Sequence, residues 1–90
     1  MKFKVYILQS EKDVTYYIGY TTDLNRRLTE HNSGKSIYTS GKIPWEVVYY
    51  EIFPTKTEAL KREKFLKKQR NRTFYENLIQ DFSAGNSFEF

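Results

Sequence analysis

An arginine and the chain's only histidine stand where leucines would be expected. In the stretch Tyr16-Tyr17-Ile18-Gly19-Tyr20-Thr21-Thr22-Asp23-Leu24-Asn25-Arg26-Arg27-Leu28-Thr29-Glu30-His31, an aromatic and β-branched run reaches a glycine and passes into an amphipathic helix. Leu24, Arg27, Leu28 and His31 recur at spacings of three and four, so they share one helix face. Arginine binds oxyanions and histidine carries protons near neutral pH. Either both reach the rim of the helix to meet water, or they line a site.

A second charge is out of place. On a later helix Ala59, Leu60, Leu66 and Arg70 mark an inner face, and Glu63 falls between Ala59, Leu60 and Leu66 at 100° per residue. A carboxylate there loses water and costs several kcal/mol, of order, unless a cation offsets it. The offset is a salt bridge, to Arg27 or a neighbour, or a divalent metal. Around Glu63 lies a basic run of Lys61, Arg62, Lys64, Lys67, Lys68, Arg70 and Arg72. Such a run is either a solvated helix surface or a set of phosphate contacts.

Elements must hold these groups in place. Phe3 to Leu8 and Thr15 to Tyr20 read as strands joined by a charged turn, an antiparallel hairpin that brings Tyr6 near Tyr17. Asp23 suits the N-cap of a helix from Leu24 to His31, and Asn32-Ser33-Gly34 suits its left-handed end. Lys35 to Pro44 has no periodicity and reads as a functional loop or one with a short turn of helix. Trp45 to Phe53 is apolar almost throughout and is expected to be the central strand, covered on both faces. Thr55-Lys56-Thr57-Glu58 has the form of a capping box opening a helix to about Lys68, and a shorter helix is expected over Thr73 to Asp81. The order β-β-α-β-α-α predicts an α+β fold, a small three-stranded antiparallel sheet flanked by helices. One domain is expected over residues 1–81, with 82–90 a loosely ordered tail whose exposed Phe82, Phe88 and Phe90 permit a dimer contact. A monomer is the expectation.

Composition narrows the chemistry. No cysteine is present, which excludes disulfides, thiolate metal sites and cysteine nucleophiles. One histidine excludes multi-histidine metal centres, so any metal is held mainly by oxygen and is a hard cation such as magnesium. Fifteen Lys and Arg against eleven Asp and Glu give a net charge of +4, a lean toward polyanions. Eight tyrosines and seven phenylalanines must mostly fill the core. Neither a long apolar run nor a signal-peptide pattern is visible, so a cytoplasmic protein without membrane contact is expected.

Taken together, these residues resemble the GIY-YIG nuclease superfamily, in particular its small stand-alone bacterial members. The first signature corresponds to Val5-Tyr6-Ile7, which lacks the usual glycine, and the second is intact as Tyr17-Ile18-Gly19. The pattern Gly-x-Thr-x-Asp-Leu-x-x-Arg-x-x-x-His is met by Gly19, Thr21, Asp23, Leu24, Arg27 and His31, and the later glutamate by Glu63. The late asparagine of many relatives has no fixed counterpart here: Asn71 and Asn77 are the candidates, and neither is chosen. No appended recognition domain is expected.

The resemblance implies a metal-dependent endonuclease hydrolysing DNA, in repair or recombination, on branched or damaged substrates. Glu63 would be the sole protein ligand of Mg2+ (or Mn2+) and Arg27 would hold the scissile phosphate. Tyr6 or Tyr17 would position and deprotonate water, His31 would orient a tyrosine or relay a proton, and Gly19 would let the backbone approach the phosphate. Lys35, Lys64, Lys67, Lys68 and Arg70 would contact the nucleic acid. The competing expectations are a nucleic-acid-binding module working through the basic helix and the Lys35–Lys42 loop without catalysis, and an interaction domain in which Glu63 pairs with Arg27.

Overall fold

The computed structural model describes residues 2–85. Among these residues the chain forms β1 (Phe3–Ser10), β2 (Tyr16–Thr21), α1 (Leu24–Asn32), β3 (Trp45–Phe53), α2 (Lys56–Gln69) and α3 (Arg72–Gly85), with a 3-10 turn at Ser40–Lys42. The expected α+β fold with its three antiparallel strands is therefore the observed one.

The strand order is β2-β1-β3, so β1 is central and β3 lies at an edge. This corrects the expectation for β3. Its apolar run reports that both faces are covered, by α1 on one side and α3 on the other. Coverage of two faces leaves the number of paired edges open. β1 alternates: Val5 and Ile7 join Ala59, Leu66, Tyr75 and Phe82 in the core beneath α2 and α3. Tyr6 and Leu8 join Leu24, Trp45 and Val47 beneath α1. The sheet thus separates two cores, and the α1 side carries the tyrosines.

Helix ends follow local chemistry. Asp23 accepts a bond from the Arg26 amide at 3.1 Å and caps α1. At the other end Gly34 takes φ +82°, its amide bonding the His31 carbonyl and the Lys35 amide bonding that of Glu30, both at 3.3 Å. The Thr55 hydroxyl accepts from the Glu58 amide and donates to the Glu58 carboxylate, the expected start of α2.

Two further expectations are corrected. Leu60 is exposed and Arg70 stands beyond α2 in a left-handed conformation, so neither belongs to an inner face; Ala59 and Leu66 carry the burial. Helix α3 continues past Asp81, and Phe82 is buried against Tyr49 and Tyr50 rather than exposed in a tail. Phe88 and Phe90 lie outside the described residues. Among the described residues no helix is long and apolar enough to cross a membrane.

Candidate active site

Antiparallel pairing puts Tyr6 of β1 directly opposite Gly19 of β2, with Tyr17 one step along the same face opposite Leu8. The Tyr6 and Tyr17 rings lie 6.4 Å apart. Gly19 is glycine for a specific reason. A Cβ built there would come within 2.5 Å of the Tyr6 hydroxyl oxygen and 2.7 Å of its Cζ. The space beside Gly19 is thus filled by the Tyr6 side chain itself.

The turn after Gly19 aims α1 back over the sheet. Buried Thr21 receives the Asp23 amide at 3.1 Å and Asp23 caps the helix, so the entry angle is fixed before the first helical residue. Leu24 is buried and Leu28 packs on the Tyr6 core, which leaves Arg27 and His31 facing the tyrosines. His31 is fully buried. Its Nε2 meets the Tyr6 hydroxyl at 3.3 Å and its Nδ1 meets the Thr39 hydroxyl at 2.8 Å. The Tyr17 ring packs edge-on against the imidazole, centroids 4.7 Å apart.

Thr39 was not legible as a site residue. It sits in the aperiodic loop, buried, with its carbonyl accepting the Trp45 indole N–H at 2.9 Å. Asn32 secures the same corner, accepting from the Trp45 amide at 2.6 Å and donating to its carbonyl at 3.0 Å. Thr39 carries only a short polar side chain in an unpatterned loop, which no periodicity marks, and Asn32 reads from the sequence as part of a helix end rather than as a tether for Trp45.

Electrostatics follow from this packing. Burial, then the neighbouring Tyr17 phenol, pushes the Tyr6 hydroxyl up to about 12; Arg27 pulls the other way, and the Glu63 charge adds to the rise. Tyr6 therefore feels both Arg27 and Glu63. The Arg27 guanidinium donates to Glu30 at 2.9 Å, which holds it more firmly protonated than usual. Burial and then the Arg27 charge lower the His31 pKa, so the imidazole is neutral near pH 7.

Glu63 lies on α2 with its side chain 19% exposed and pairs with Lys67 at 3.4 Å. Its offset is the neighbour one turn on. The pairing with Arg27 is corrected, since Arg27 takes Glu30 on its own helix. Glu63 borders a groove of about 610 Å³ lined by Leu60, Lys64, Lys67, Lys68 and Arg70. The structure thus gathers Lys64, Lys67, Lys68 and Arg70 around the glutamate, and leaves exposed Lys35 outside that groove, on the loop after α1. Asn71 is spent as a cap, accepting from the Phe74 amide at 3.2 Å, and Asn77 is exposed on α3.

The sequence matches the GIY-YIG catalytic domain over residues 2–77. The chain belongs to that family. GIY-YIG nucleases act on DNA. The GIY-YIG match takes in every residue of the tyrosine, arginine, histidine and glutamate constellation. Among relatives, a UPF0213 protein of Streptococcus pneumoniae is 44% identical over 70 residues, 77% of this chain and 70% of that one. A UPF0213 protein of Streptococcus pyogenes is 42% identical over 73 residues, 80% of this chain and 78% of that one. The solution NMR structure of a UPF0213 protein from Bacillus halodurans superposes with a TM-score of 0.56 at 41% identity, covering 89% of this chain and 84% of that chain.

Proposed function

We propose that this GIY-YIG protein is a divalent-metal-dependent endonuclease that hydrolyses phosphodiester bonds in branched or damaged DNA, in repair or recombination. It works as a cytoplasmic monomer. The reading rests on one arrangement, a buried tyrosine hydroxyl bonded to a neutral histidine with an arginine beside it, together with a glutamate on α2 that borders a basic groove.

The donor set fits a hydrated metal. Among the described residues no cluster of three His, Asp or Glu could cage an ion. Glu63 offers one carboxylate at the mouth of an open groove, held by a lysine that can swing away. Mg2+ or Mn2+, which keeps most of its waters and takes phosphate oxygens, suits a single protein ligand; Ca2+ wants more. When bound, the metal supplies charge neutralisation at the phosphate and at the leaving oxygen.

The chain's own residues do the rest. Arg27, fixed by Glu30, presents the remaining donors of its planar fork to the phosphate oxygens. The Tyr6 oxygen takes the proton of the attacking water as its own proton passes to Nε2 of His31, so no net charge is created on the phenol. A free phenol so far up the scale is a poor base at neutral pH, and the proton's exit to His31 removes that obstacle. Tyr17 borders both rings and shields the relay from bulk water.

The test is a cleavage assay on flap, junction, nicked and single-stranded DNA with Mg2+, Mn2+ or EDTA, using wild type, Glu63→Ala and Tyr6→Phe. Cutting by wild type alone, lost in EDTA and reduced by about a hundredfold or more in Tyr6→Phe, is the expected result. Binding without cutting of any substrate would replace this reading with a nucleic-acid-binding module.

A further inference from the structure

The loop that reaches His31 also carries the most exposed large apolar side chains of the described residues. Ile37 and Tyr38 are each 89% exposed, against 59% for the next, Val14. They sit at the tip of a turn that is tied down on every side. The Ser40 amide bonds the Ser36 carbonyl at 3.0 Å and the Thr39 amide bonds it at 3.3 Å. The Ser40 hydroxyl bonds the Ile37 carbonyl at 3.2 Å. One residue further, Thr39 turns inward to His31 and accepts from Trp45. Behind it, the Lys42 ammonium pairs with Asp13 at 2.6 Å and the Ser10 hydroxyl bonds the Lys42 carbonyl at 2.6 Å, stapling the loop to the β1–β2 turn. The tip is held by its backbone and by Thr39, while two bulky side chains face water beside the exposed Lys35.

We propose that Ile37 and Tyr38 form a stacking platform for an unpaired base of the substrate, mounted on the flank of the catalytic cluster. The proposal rests on the nuclease reading and names its substrate class: nucleic acid with unpaired nucleotides next to the scissile bond. An aromatic face stacks on any base, so such a platform selects for unpaired nucleotides rather than for sequence. An intact duplex keeps its bases stacked on one another and offers that face nothing, unless the tip wedges a step open at the cost of unstacking it. Lys35, two residues before Ile37, supplies a cation for the adjoining phosphate, with Glu30 nearby already engaged by Arg26 and Arg27. Because Thr39 links the tip directly to His31, a base seated on Tyr38 sets the register of the strand relative to the relay.

The experiment measures binding in EDTA, by fluorescence anisotropy, to a blunt duplex and to the same duplex carrying a single-stranded flap. Tyr38→Ala is expected to weaken flap binding by about tenfold and duplex binding by less than about twofold, with Tyr38→Phe close to wild type. Ile37→Ala should show the same asymmetry, smaller. Equal losses on both DNAs, or none on the flap, overturn the platform. So does a wild-type dimer in sedimentation that Tyr38→Ala dissolves, since the tip would then serve a second copy of the chain. Cleavage with Mg2+ is scored separately. Tyr38-dependent flap binding without any cutting sinks the nuclease reading and keeps the platform, whereas flap cutting indifferent to Tyr38 does the reverse.

Discussion

At the scale of single residues, the site is a chain of hydroxyl, imidazole and hydroxyl. Thr39 can donate or accept, so its bond to Nδ1 does not choose the tautomer alone. With the proton on Nδ1 and Thr39 accepting, Nε2 is left free to take the Tyr6 proton. Replacing Thr39 by valine keeps the volume but removes the acceptor, and buried Nδ1–H would be left unpaired, so the proton should move toward Nε2. Since His31 is the only histidine, its ring nitrogens can be read without ambiguity in a 15N NMR spectrum. Thr39→Val is expected to shift the tautomer signals and lower turnover, with Thr39→Ser restoring both; unchanged ring signals in Thr39→Val would remove Thr39 from the relay. A pH effect follows from the same residue. Burial and Arg27 lower the folded pKa of His31 below its ordinary value of about 6.5. The unfolded chain therefore binds more protons just below that value, so stability is complete above about pH 6.5 and declines as pH falls toward the folded pKa. Of the groups facing the ring, Glu30 stays ionised through this window, because Arg27 holds its carboxyl below the usual range, and Tyr6 stays protonated. Thermal melts from roughly pH 8 to pH 5 should show the decline in wild type and a flatter profile in His31→Gln. Cleavage should fall over the same interval, as a charged imidazole can no longer accept.

At the scale of elements, α2 is a helix whose stability and whose candidate function sit on different residues. Ala59 and Leu66 bury it, and the Thr55–Glu58 box starts it. Glu63 contributes one pair with Lys67, a half-exposed lysine, which is worth about 0.5 kcal/mol or less. Glu63→Ala should therefore change unfolding free energy by no more than about 0.5 kcal/mol while abolishing cleavage. Thr55→Ala should cost about 1 kcal/mol and leave cleavage intact. Urea melts paired with initial rates decide both, and a loss above about 2 kcal/mol in Glu63→Ala would make the carboxylate structural. Much of this element was legible in the sequence: the capping box, the Leu66 anchor and the anomalous position of Glu63 all follow from spacing. Arg70 was misplaced because periodicity extrapolates a face past the point where the backbone turns left-handed, and Leu60 because the buried stripe of Ala59 and Leu66 is too narrow to take in a residue about 100° round the helix. The apolar run of β3 was legible as double coverage but not as an edge, since strand order depends on partners far away in sequence. Tyr6 with Tyr17, and Arg27 with His31, could be paired from strand pairing and helix spacing, and the resemblance to the GIY-YIG nucleases joined the two pairs. Thr39 and the Ile37–Tyr38 tip could not, because a loop has no period and its contacts are set by whatever it lands on.

At the scale of the whole molecule, the two cores divide the labour. The α1 side of the sheet holds the Tyr6–His31–Thr39 cluster, and α2, across the sheet, carries Glu63 and a row of cations along one open groove. Arrays of lysine and arginine read phosphate spacing and no sequence, so under the proposed nuclease reading a protein with net charge +4 would bind many DNAs while the relay and the loop tip would decide where it cuts. Each phosphate neutralised releases counterions, and the slope of log K against log salt becomes shallower by about 1 for each phosphate that no longer meets a cation. Lys68→Gln and Arg70→Gln should each reduce that slope by about 1, equally for unrelated sequences, because both line the groove. Lys67→Gln should do less in the absence of metal, since Lys67 already spends part of its charge on Glu63. Lys56→Gln, exposed at the first turn of α2 and absent from the groove lining, is the control and should leave the slope unchanged. Anisotropy titrations over a range of potassium chloride concentrations give all four slopes. If Lys56→Gln lowers the slope as much as Arg70→Gln does, the cations act as a diffuse positive field, and the groove does not track the phosphate backbone.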